Sequence, residues 1–240
     1  MKKIVCILTI LVSFQASAQW PWEKIEGNGK LKKESRELTS YTAVASSGSW
    51  DVMIAYGESN TVQVEGDENL LNYIETEVKD GRLSIRPKKN VNLRSRNKIT
   101  VYVSLTKMTG IYLSGSGDII GQGRFRNDGT TDFKLSGSGS IRLTFDKVKT
   151  AEVAISGSGD ILLAGSARTV NTRISGSGNA DCSDLIAEDA SAHVSGSGNV
   201  KLNASHSVDA SISGSGNISY KGAATDIRKH VAGSGRLVRA

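Results

Sequence analysis

The 240-residue chain carries a formal net charge of +6, two cysteines and two prolines. So mild a positive charge suggests no nucleic-acid partner. Only Cys182 remains once the N-terminal segment with Cys6 is set aside, which excludes an internal disulfide framework and a zinc site built from cysteines.

Residues 1–18 have the pattern of a cleaved Sec signal peptide. Lys2 and Lys3 precede an apolar run, and Ala16-Ser17-Ala18 provides a small-residue cleavage site before Gln19. The apolar run is too short to anchor the chain across a bilayer. The segment predicts export to the periplasm, the outer surface or the medium, with no transmembrane segment after signal removal.

Residues 19–110 are predicted to form a charged lead-in and then an irregular β part. The lead-in, residues 19–40, opens with Trp20 and Trp22, and we expect an edge strand near residues 31–38. In residues 41–110, short runs alternate apolar and polar residues between glycines. This alternation predicts strands at residues 41–46, 50–56, 61–65, 73–78, 82–86 and 99–104.

Three local features lie between these strands. Residues 67–72 are predicted to form one helical turn capped by Asp67, and Lys79-Asp80-Gly81 is predicted to join two strands. Residues 87–98 are rich in lysine and arginine, whereas residues 51–77 are acidic. A basic loop would suit acidic glycans or lipid headgroups, but a solvated loop that balances the acidic strands is the favoured interpretation.

Residues 111–240 are organised around a repeated motif, Ser-Gly-Ser-Gly. Successive copies start 18 to 22 residues apart, which indicates a repeat architecture. A degenerate copy, Ala232-Gly233-Ser234-Gly235, ends the series, and Ser47-Gly48-Ser49-Trp50 resembles a divergent early copy in which Trp50 replaces the second glycine. The intact copies begin at Ser114, Ser136, Ser156, Ser175, Ser195 and Ser213.

The glycines of the motif are expected to form corners. Glycine inside a strand costs about 0.5 to 1 kcal/mol, whereas a tight turn with positive φ requires it. We therefore expect a structural role in the turns for Gly115, Gly117, Gly137, Gly139, Gly157, Gly159, Gly176, Gly178, Gly196, Gly198, Gly214 and Gly216.

Apolar residues alternate with period two on both sides of each motif, for example Leu135 before it and Ile141 after it. One repeat cannot bury its own apolar face, so the repeats must stack around a shared core. The pattern predicts an all-β, right-handed parallel β-helix, or β-solenoid. Each rung would hold two short strands joined by the Ser-Gly-Ser-Gly turn, and a second, variable turn would lead to the next rung. An antiparallel sandwich is disfavoured because identical turns at one period imply one stacked corner.

The repeated motifs and one earlier segment together resemble the head GIN domain family. The quoted residues are Ser-Gly-Ser-Gly-Asp-Ile at Ser114 and Ser156, its Asn-bearing forms at Ser175, Ser195 and Ser213, and residues 62–71. The family comprises exported, mostly Bacteroidetes-type proteins described as auto-transporter adhesins and carried as a domain of unknown function. The resemblance covers residues 30–235. It implies a β-helix similar to pectin-lyase-like folds without their catalytic residues, and a role in adhesion.

Two carboxylates of the predicted outer face are candidate catalytic residues. Asp132 and Glu152 would lie one rung apart with Arg173 nearby, an arrangement that calcium-assisted sugar elimination uses in other β-helices. A solvated face whose charges pair diagonally across rungs is the favoured interpretation, so no catalytic residue is assigned.

No cofactor and no metal site are predicted. His193 and His230 share an outward column but are two rungs apart, and His206 lies in a return turn, so no histidine pair has metal-ligand spacing. Cys182 is expected to be a small buried hydrophobe. We expect a turn-capping ladder, bonded to its own backbone and not to calcium, from the column Asp118, Ser140, Asp160, Asn179, Asn199 and Asn217.

The leading functional hypothesis is an exported, non-enzymatic adhesin or extracellular binding protein. Surface glycans and host or matrix molecules are its candidate partners, and homo-oligomer formation is left open. One alternative is a polysaccharide lyase or hydrolase that acts through Asp132, Glu152 and Arg173. Another is a periplasmic structural protein without a ligand of its own.

Overall fold

The computed structural model describes residues 22–240. The predicted signal peptide, Cys6 and Trp20 lie outside these residues. The described chain folds as eighteen β-strands and one short 3-10 helix. None of its helices within residues 22–240 has the length and apolar character that crossing a membrane requires.

The first nine strands form the irregular end of the molecule. The predicted strands of residues 41–104 correspond to β3 to β7 and β9, with ends that differ by at most two residues. The bounds are β1 Glu23–Glu26, β2 Leu31–Arg36, β3 Ala43–Ser46, β4 Asp51–Tyr56, β5 Thr61–Asp67, the 3-10 helix Glu68–Tyr73, β6 Ile74–Lys79, β7 Arg82–Pro87, β8 Val91–Arg94 and β9 Thr100–Leu105.

These strands pair in both directions. β3 and β4 join the parallel stack through β10 and β11 (bounds below), and β7 and β9 lie beneath them, also parallel. Antiparallel pairs β2–β5, β5–β9 and β6–β7 then close this end. The tight β6–β7 turn places Asp80 and Gly81 at φ 51° and 71°, so both central residues are left-handed.

Two expectations for this end are corrected. Residues 87–98 are not simply a loop, because they contain β8, which pairs with β1 of the lead-in in a separate two-stranded parallel sheet. Asp67 precedes the 3-10 helix but makes no capping hydrogen bond with its side chain. That carboxylate has other partners, described below.

The remaining strands stack as parallel coils, which confirms the β-solenoid. Every neighbouring pair among them is parallel, and equivalent motif residues face each other, such as Gly137 and Gly157. The bounds are β10 Gly110–Gly115, β11 Asp118–Gly137, β12 Ser140–Gly157, β13 Asp160–Gly176, β14 Asn179–Gly196, β15 Asn199–Gly214, β16 Asn217–Lys221, β17 Asp226–Gly233 and β18 Arg236–Arg239.

The expected second turn is wrong for the central coils. Each strand from β11 to β15 runs without a break from one corner to the next. The chain bends where the pairing register shifts, for example between Phe145 and Val148 or between Asp181 and Ile186. Bulges increase local bending and twist, so the unequal repeat lengths are absorbed there and not at the motif.

At each corner the two glycines are needed for different reasons. Gly157 has φ 138°, and a Cβ on it would lie 2.6 Å from the Gly137 carbonyl oxygen. Gly159 lacks a positive φ, but its Cβ would collide with the Gly139 carbonyl and lie 2.6 Å from Leu135 Cδ2. The first glycine is therefore required for its backbone conformation, and the second because no side chain would fit there.

The divergent motif at residues 47–50 stacks as the corner below the first intact copy. The amides of Ser116 and Gly117 both donate to the Gly48 carbonyl at 3.2 Å. Trp50 is 5% exposed, its ring covers Gly48, and its Nε1 donates to Ser46 Oγ at 3.1 Å. The predicted relation of this segment to the repeat is confirmed.

The inward columns form one core along the stack. Aromatic rings fill its first coils, with Phe125 and Phe133 flanking Phe145 at centroid distances of 6.1 and 5.7 Å. Later coils use alanine, valine, leucine and isoleucine, and Cys182 is fully buried there, as expected. Burial raises the pKa of its thiol to about 12, and the charge of Asp181 adds to this increase.

Candidate binding surface

The strand segments just before the corners present one regular outer surface, which we call the front face. Its side chains form three columns. The serine column is Ser114, Ser136, Ser156, Ser175, Ser195 and Ser213; the central column is Tyr112, Lys134, Ala154, Arg173, His193, Ser211 and His230; and the carboxylate column, which starts at Gly110, is Asp132, Glu152, Asn171, Ser191, Asp209 and, on the last rung, Arg228.

Along the front face the pairing register does not shift. From Asp132 to Gly137 every residue is paired with its equivalent in the next coil, and the same holds in the coils that follow. Side chains of one column are therefore spaced by about 4.8 Å along the rod. The predicted positions of the outward columns are confirmed, and His193 and His230 are separated by Ser211.

The carboxylates Asp132 and Glu152 of this column accept hydrogen bonds from neutral groups. The Tyr112 hydroxyl donates to Asp132 Oδ2 at 3.2 Å, and Asn171 Nδ2 donates to Glu152 Oε1 at 2.7 Å. Ser191 Oγ in turn donates to Asn171 Oδ1 at 2.7 Å. Burial raises the pKa of Tyr112, and the charge of Asp132 raises it further, which keeps the phenol a neutral donor.

The diagonal ion pairs expected for Asp132 and Glu152 are not found among the described residues. Asn171, in the same column, reaches Glu152 across one rung, and Tyr112, in the central column, reaches Asp132 diagonally. Neutral donors thus occupy the carboxylates, and Lys134 and Arg173 form no ion pair with them. On other faces of the rod, basic residues do pair with carboxylates of adjacent coils, as in Arg142–Asp118 and Lys201–Asp181. On the rungs of Asp132 to Arg173, the front face therefore keeps its cations out of ion pairs with its carboxylates; on the last rung, Arg228 continues the carboxylate column and pairs with Asp226.

The central column is a ridge with a gap. The exposed side chains of Lys134 and Arg173 flank Ala154, and neither forms an ion pair with residues 22–240. The Lys134 ammonium lies 5.6 Å from the centre of the Tyr112 ring, and the Arg82 guanidinium lies 4.3 Å from it. Positive charge thus continues toward the irregular end of the molecule.

A groove lies on each side of this ridge, and Lys134, Ala154, Arg173 and His193 line both. The serine-side groove, about 810 Å³, runs between the central and serine columns and reaches Ala45 and Ser46 of β3. It crosses six rungs, or about 24 Å. The carboxylate-side groove, about 680 Å³, holds Asp132, Glu152 and Asp209.

The structure brings the candidate catalytic residues into the carboxylate-side groove. Asp132 and Glu152 face each other on adjacent rungs, and Arg173 lines the same groove. Within residues 22–240, no group of three or more histidine, cysteine, aspartate or glutamate side chains is arranged to hold a metal ion. The residues that calcium-assisted elimination would use are near each other, but both carboxylates already accept hydrogen bonds.

The column after the corner forms a ladder of a different kind from the one expected. Among the described residues, only Asp80 and Asn90 combine a side chain with positive φ, so this column is not left-handed. Its side chains bond from rung to rung: Ser140 Oγ donates to Asp118 at 2.6 Å, and Asn199 Nδ2 donates to Asn179 at 3.0 Å. These hydrogen bonds link neighbouring coils at their corners.

Asp67, at the irregular end, is a buried carboxylate whose partners the sequence did not reveal. Its carboxylate accepts backbone hydrogen bonds from Gly29 at 3.0 Å, Arg96 at 2.7 Å and Asn97 at 3.2 Å, and one from Asn97 Nδ2 at 2.7 Å. Burial alone would raise the pKa of this carboxyl, but the hydrogen bonds outweigh it and lower the pKa. Together with the Lys98–Asp51 ion pair at 2.6 Å, Asp67 anchors the basic segment.

Comparisons with known proteins agree with this architecture. A family model described as "Putative auto-transporter adhesin, head GIN domain" matches residues 40–224. The structure resembles a "putative adhesin" of Bacteroides fragilis NCTC 9343, with 24% identity over 90% of this chain and 100% of that one and a TM-score of 0.81. It also resembles a "putative lipid binding protein" of Parabacteroides distasonis ATCC 8503, with 25% identity over 91% and 100% of the chains and a TM-score of 0.73. None of the curated proteins compared with the chain matches it.

Proposed function

Because the chain belongs to the head GIN domain family, we propose that it is an exported, non-enzymatic adhesin that binds an extended surface polymer through its front face. The observation that carries this proposal is the unbroken register of three polar columns over successive coils. A surface that repeats at a fixed spacing offers equivalent contacts to successive units of a polymer. Such contacts add avidity because one chain engages several of them at once.

Binding fits the front face better than turnover does. A general base must be free to take a proton from the substrate, but Asp132 and Glu152 accept hydrogen bonds from Tyr112 and Asn171. Both partners are neutral and belong to the same face, so they stabilise the carboxylates where they are. A polar face of this kind presents fixed donors and acceptors to a ligand.

A polysaccharide lyase is the second candidate, since Asp132, Glu152 and Arg173 line one groove. The test compares the wild-type protein with Asp132→Asn/Glu152→Asn on polygalacturonate, with product formation followed by absorbance of the unsaturated ends. We expect no turnover by either protein. Turnover by the wild type that disappears in the double variant would replace the adhesin proposal with the lyase.

Export and surface exposure are tested on cells that produce the protein. N-terminal sequencing of the mature protein should begin at Gln19, since Ala16-Ser17-Ala18 supports cleavage after Ala18. Protease treatment of intact cells should degrade the protein while a periplasmic marker survives. A protein that persists inside intact cells, and is degraded only after lysis, would make adhesion the wrong function.

Attachment is measured with matched strains. Cells with the gene should adhere to a surface coated with polysaccharide better than cells with the gene deleted, and purified protein added in excess should compete. Equal adhesion by both strains would contradict the proposal.

A further inference from the structure

We infer that the serine-side groove binds a linear acidic polysaccharide, whose carboxylate or sulfate groups are held by Lys134 and Arg173. This inference rests on the proposed function and gives its ligand class. The charge of the groove is the first argument. The cationic side chains of Lys134 and Arg173 line it together with His193, while the carboxylates Asp132, Glu152 and Asp209 line only the groove on the other side of the ridge.

The separation of charge on the front face is maintained by hydrogen bonds. Tyr112 and Asn171 hold Asp132 and Glu152 within the carboxylate column. The two cations are therefore not neutralised by the carboxylates nearest to them. An anionic group in the groove would meet charged donors without having to displace an internal ion pair, and hydrogen bonds between charged partners are the stronger kind.

The spacing along the groove fits a polymer. Lys134 and Arg173 are two rungs apart, about 10 Å, and Ala154 between them leaves a notch in the ridge. The sugar units of an extended polysaccharide repeat at nearly the rung spacing. If one sugar places its anionic group near Lys134, the sugar two units further along the polymer places its own anionic group near Arg173. The sugar between them then lies against Ala154.

The opposite wall provides partners for sugar hydroxyls. Ser136, Ser156 and Ser175 lie on the same three rungs as Lys134, Ala154 and Arg173, and all three are exposed. Each serine hydroxyl both donates and accepts. Sugar hydroxyl groups have the same two capacities, so the wall can bond successive units whichever way each hydroxyl points.

The floor of the groove does not by itself distinguish a sugar from a lipid. It runs over Leu135, Ile155 and Ile174, whose side chains are buried in the core and only 1 to 2% exposed. Ala45, Ala154 and the Tyr112 ring add apolar surface on which either a sugar ring or an acyl chain can lie. The charge and spacing of Lys134 and Arg173 favour the polysaccharide, and vesicle binding tests the lipid.

The experiment measures binding of the purified mature protein to polygalacturonate and dextran sulfate, with neutral dextran as the uncharged probe. Lys134→Gln/Arg173→Gln should weaken binding to both polyanions at least about tenfold, because two charge-assisted contacts are lost. The matched control, Arg142→Gln/Lys201→Gln, removes the same charge from exposed side chains away from the front face. It should change binding less than about twofold.

Two further variants, a vesicle probe and thermal melting sharpen the result. Ala154→Trp fills the notch without changing charge and should also weaken binding, while Lys134→Arg should preserve it. Vesicles of phosphatidylglycerol in phosphatidylcholine test the alternative source of anionic groups, and thermal melting confirms that each variant is folded.

Several results would overturn the inference. These are equal binding to neutral dextran, equal loss in the control variant, binding to the vesicles in place of the soluble polyanions, or no polyanion binding by the wild type. Cell attachment separates this failure from failure of the proposed function. Cells that carry Lys134→Gln/Arg173→Gln and still attach normally would refute the acidic ligand and leave the adhesin proposal standing.

Discussion

Residues 22–109 and residues 110–240 are stabilised in two different ways. In the irregular end, single side chains hold distant segments together. Asp67 joins residues 29, 96 and 97, and the single proton of the Tyr41 hydroxyl is shared between the carbonyls of Thr61 and Ser104, at 2.9 and 2.8 Å. In the coils, backbone groups of equivalent residues bond to each other from rung to rung.

The corners show how the coils differ from the irregular end. The carbonyl of Gly137 accepts hydrogen bonds from the amides of both Ser158 and Gly159 at 3.0 Å, and the same pair of bonds recurs at the next corners. No particular side chain is needed for these bonds. A substitution should therefore destabilise the coils most when it adds volume at a corner. It should destabilise the irregular end most when it removes a polar group.

Gly157→Val should produce the largest effect. Valine would have to adopt φ 138° and place its Cβ 2.6 Å from the Gly137 carbonyl oxygen. We expect a loss of about 3–5 kcal/mol in the free energy of unfolding, measured by urea denaturation.

Gly81→Ala is the control from the irregular end. Gly81 also has a positive φ, 71°, but a Cβ there meets no atom within 4 Å. Only the conformational cost remains, about 1–2 kcal/mol. Equal losses for Gly157→Val and Gly81→Ala would show that close stacking at the corner contributes nothing to stability.

Asp67→Asn should have an intermediate effect. The amide of asparagine cannot accept all four hydrogen bonds that reach the carboxylate from Gly29, Arg96 and Asn97. We expect a loss of about 2–3 kcal/mol and faster hydrogen exchange at the amides of Arg96 and Asn97. Asp80→Asn, which removes the same charge from an exposed turn, should change neither quantity appreciably.

The effect of Asp67 should also depend on pH. Its pKa is lowered in the folded protein, so its stabilisation is complete above the pKa of an unfolded aspartate, about 3.9. The stabilisation is lost as the pH falls through the lower, folded value. The difference between wild type and Asp67→Asn should therefore shrink below about pH 4; a constant difference down to acid unfolding would contradict the role of the charge.

Thr172→Val should give the smallest change, and of opposite sign. Thr172 is 1% exposed in an inward column, and its hydroxyl has no hydrogen-bond partner within residues 22–240. Replacing the hydroxyl by a methyl group of similar size should stabilise the coils by about 1 kcal/mol, seen as a higher urea midpoint. A destabilised variant would mean that the coil core does rely on a specific polar side chain.

The coils could be predicted from the sequence because their contacts repeat. The spacing of Ser114 and its later equivalents, and the apolar residues on each side, place inward and outward columns correctly over six corners. The bends between corners could not be predicted in the same way. There the repeats differ in length, and a strand that bends through a bulge has no distinctive residue such as the glycine of a tight turn.

The irregular end was predicted strand by strand, but its connections were not. β1, Glu-Lys-Ile-Glu, has a single apolar residue among charged ones. β8, Val-Asn-Leu-Arg, does alternate apolar and polar residues, but over only four positions within a basic segment, too short a run to indicate a strand by itself. Asp67 was assigned to a helix cap because the local pattern fits one. Its true partners at Arg96 and Asn97 are about thirty positions away in the chain.

The front face, too, could be predicted from the sequence only in part. The sequence placed Asp132, Glu152 and Arg173 on neighbouring rungs, because a period-two pattern locates every residue of a strand on one face or the other. Only the structure shows that Tyr112 and Asn171 hold the carboxylates apart from Lys134 and Arg173, leaving a groove whose charged side chains are basic. The pattern of one strand determines which way a side chain points, whereas its hydrogen-bond partners depend on the strands that stack above and below it.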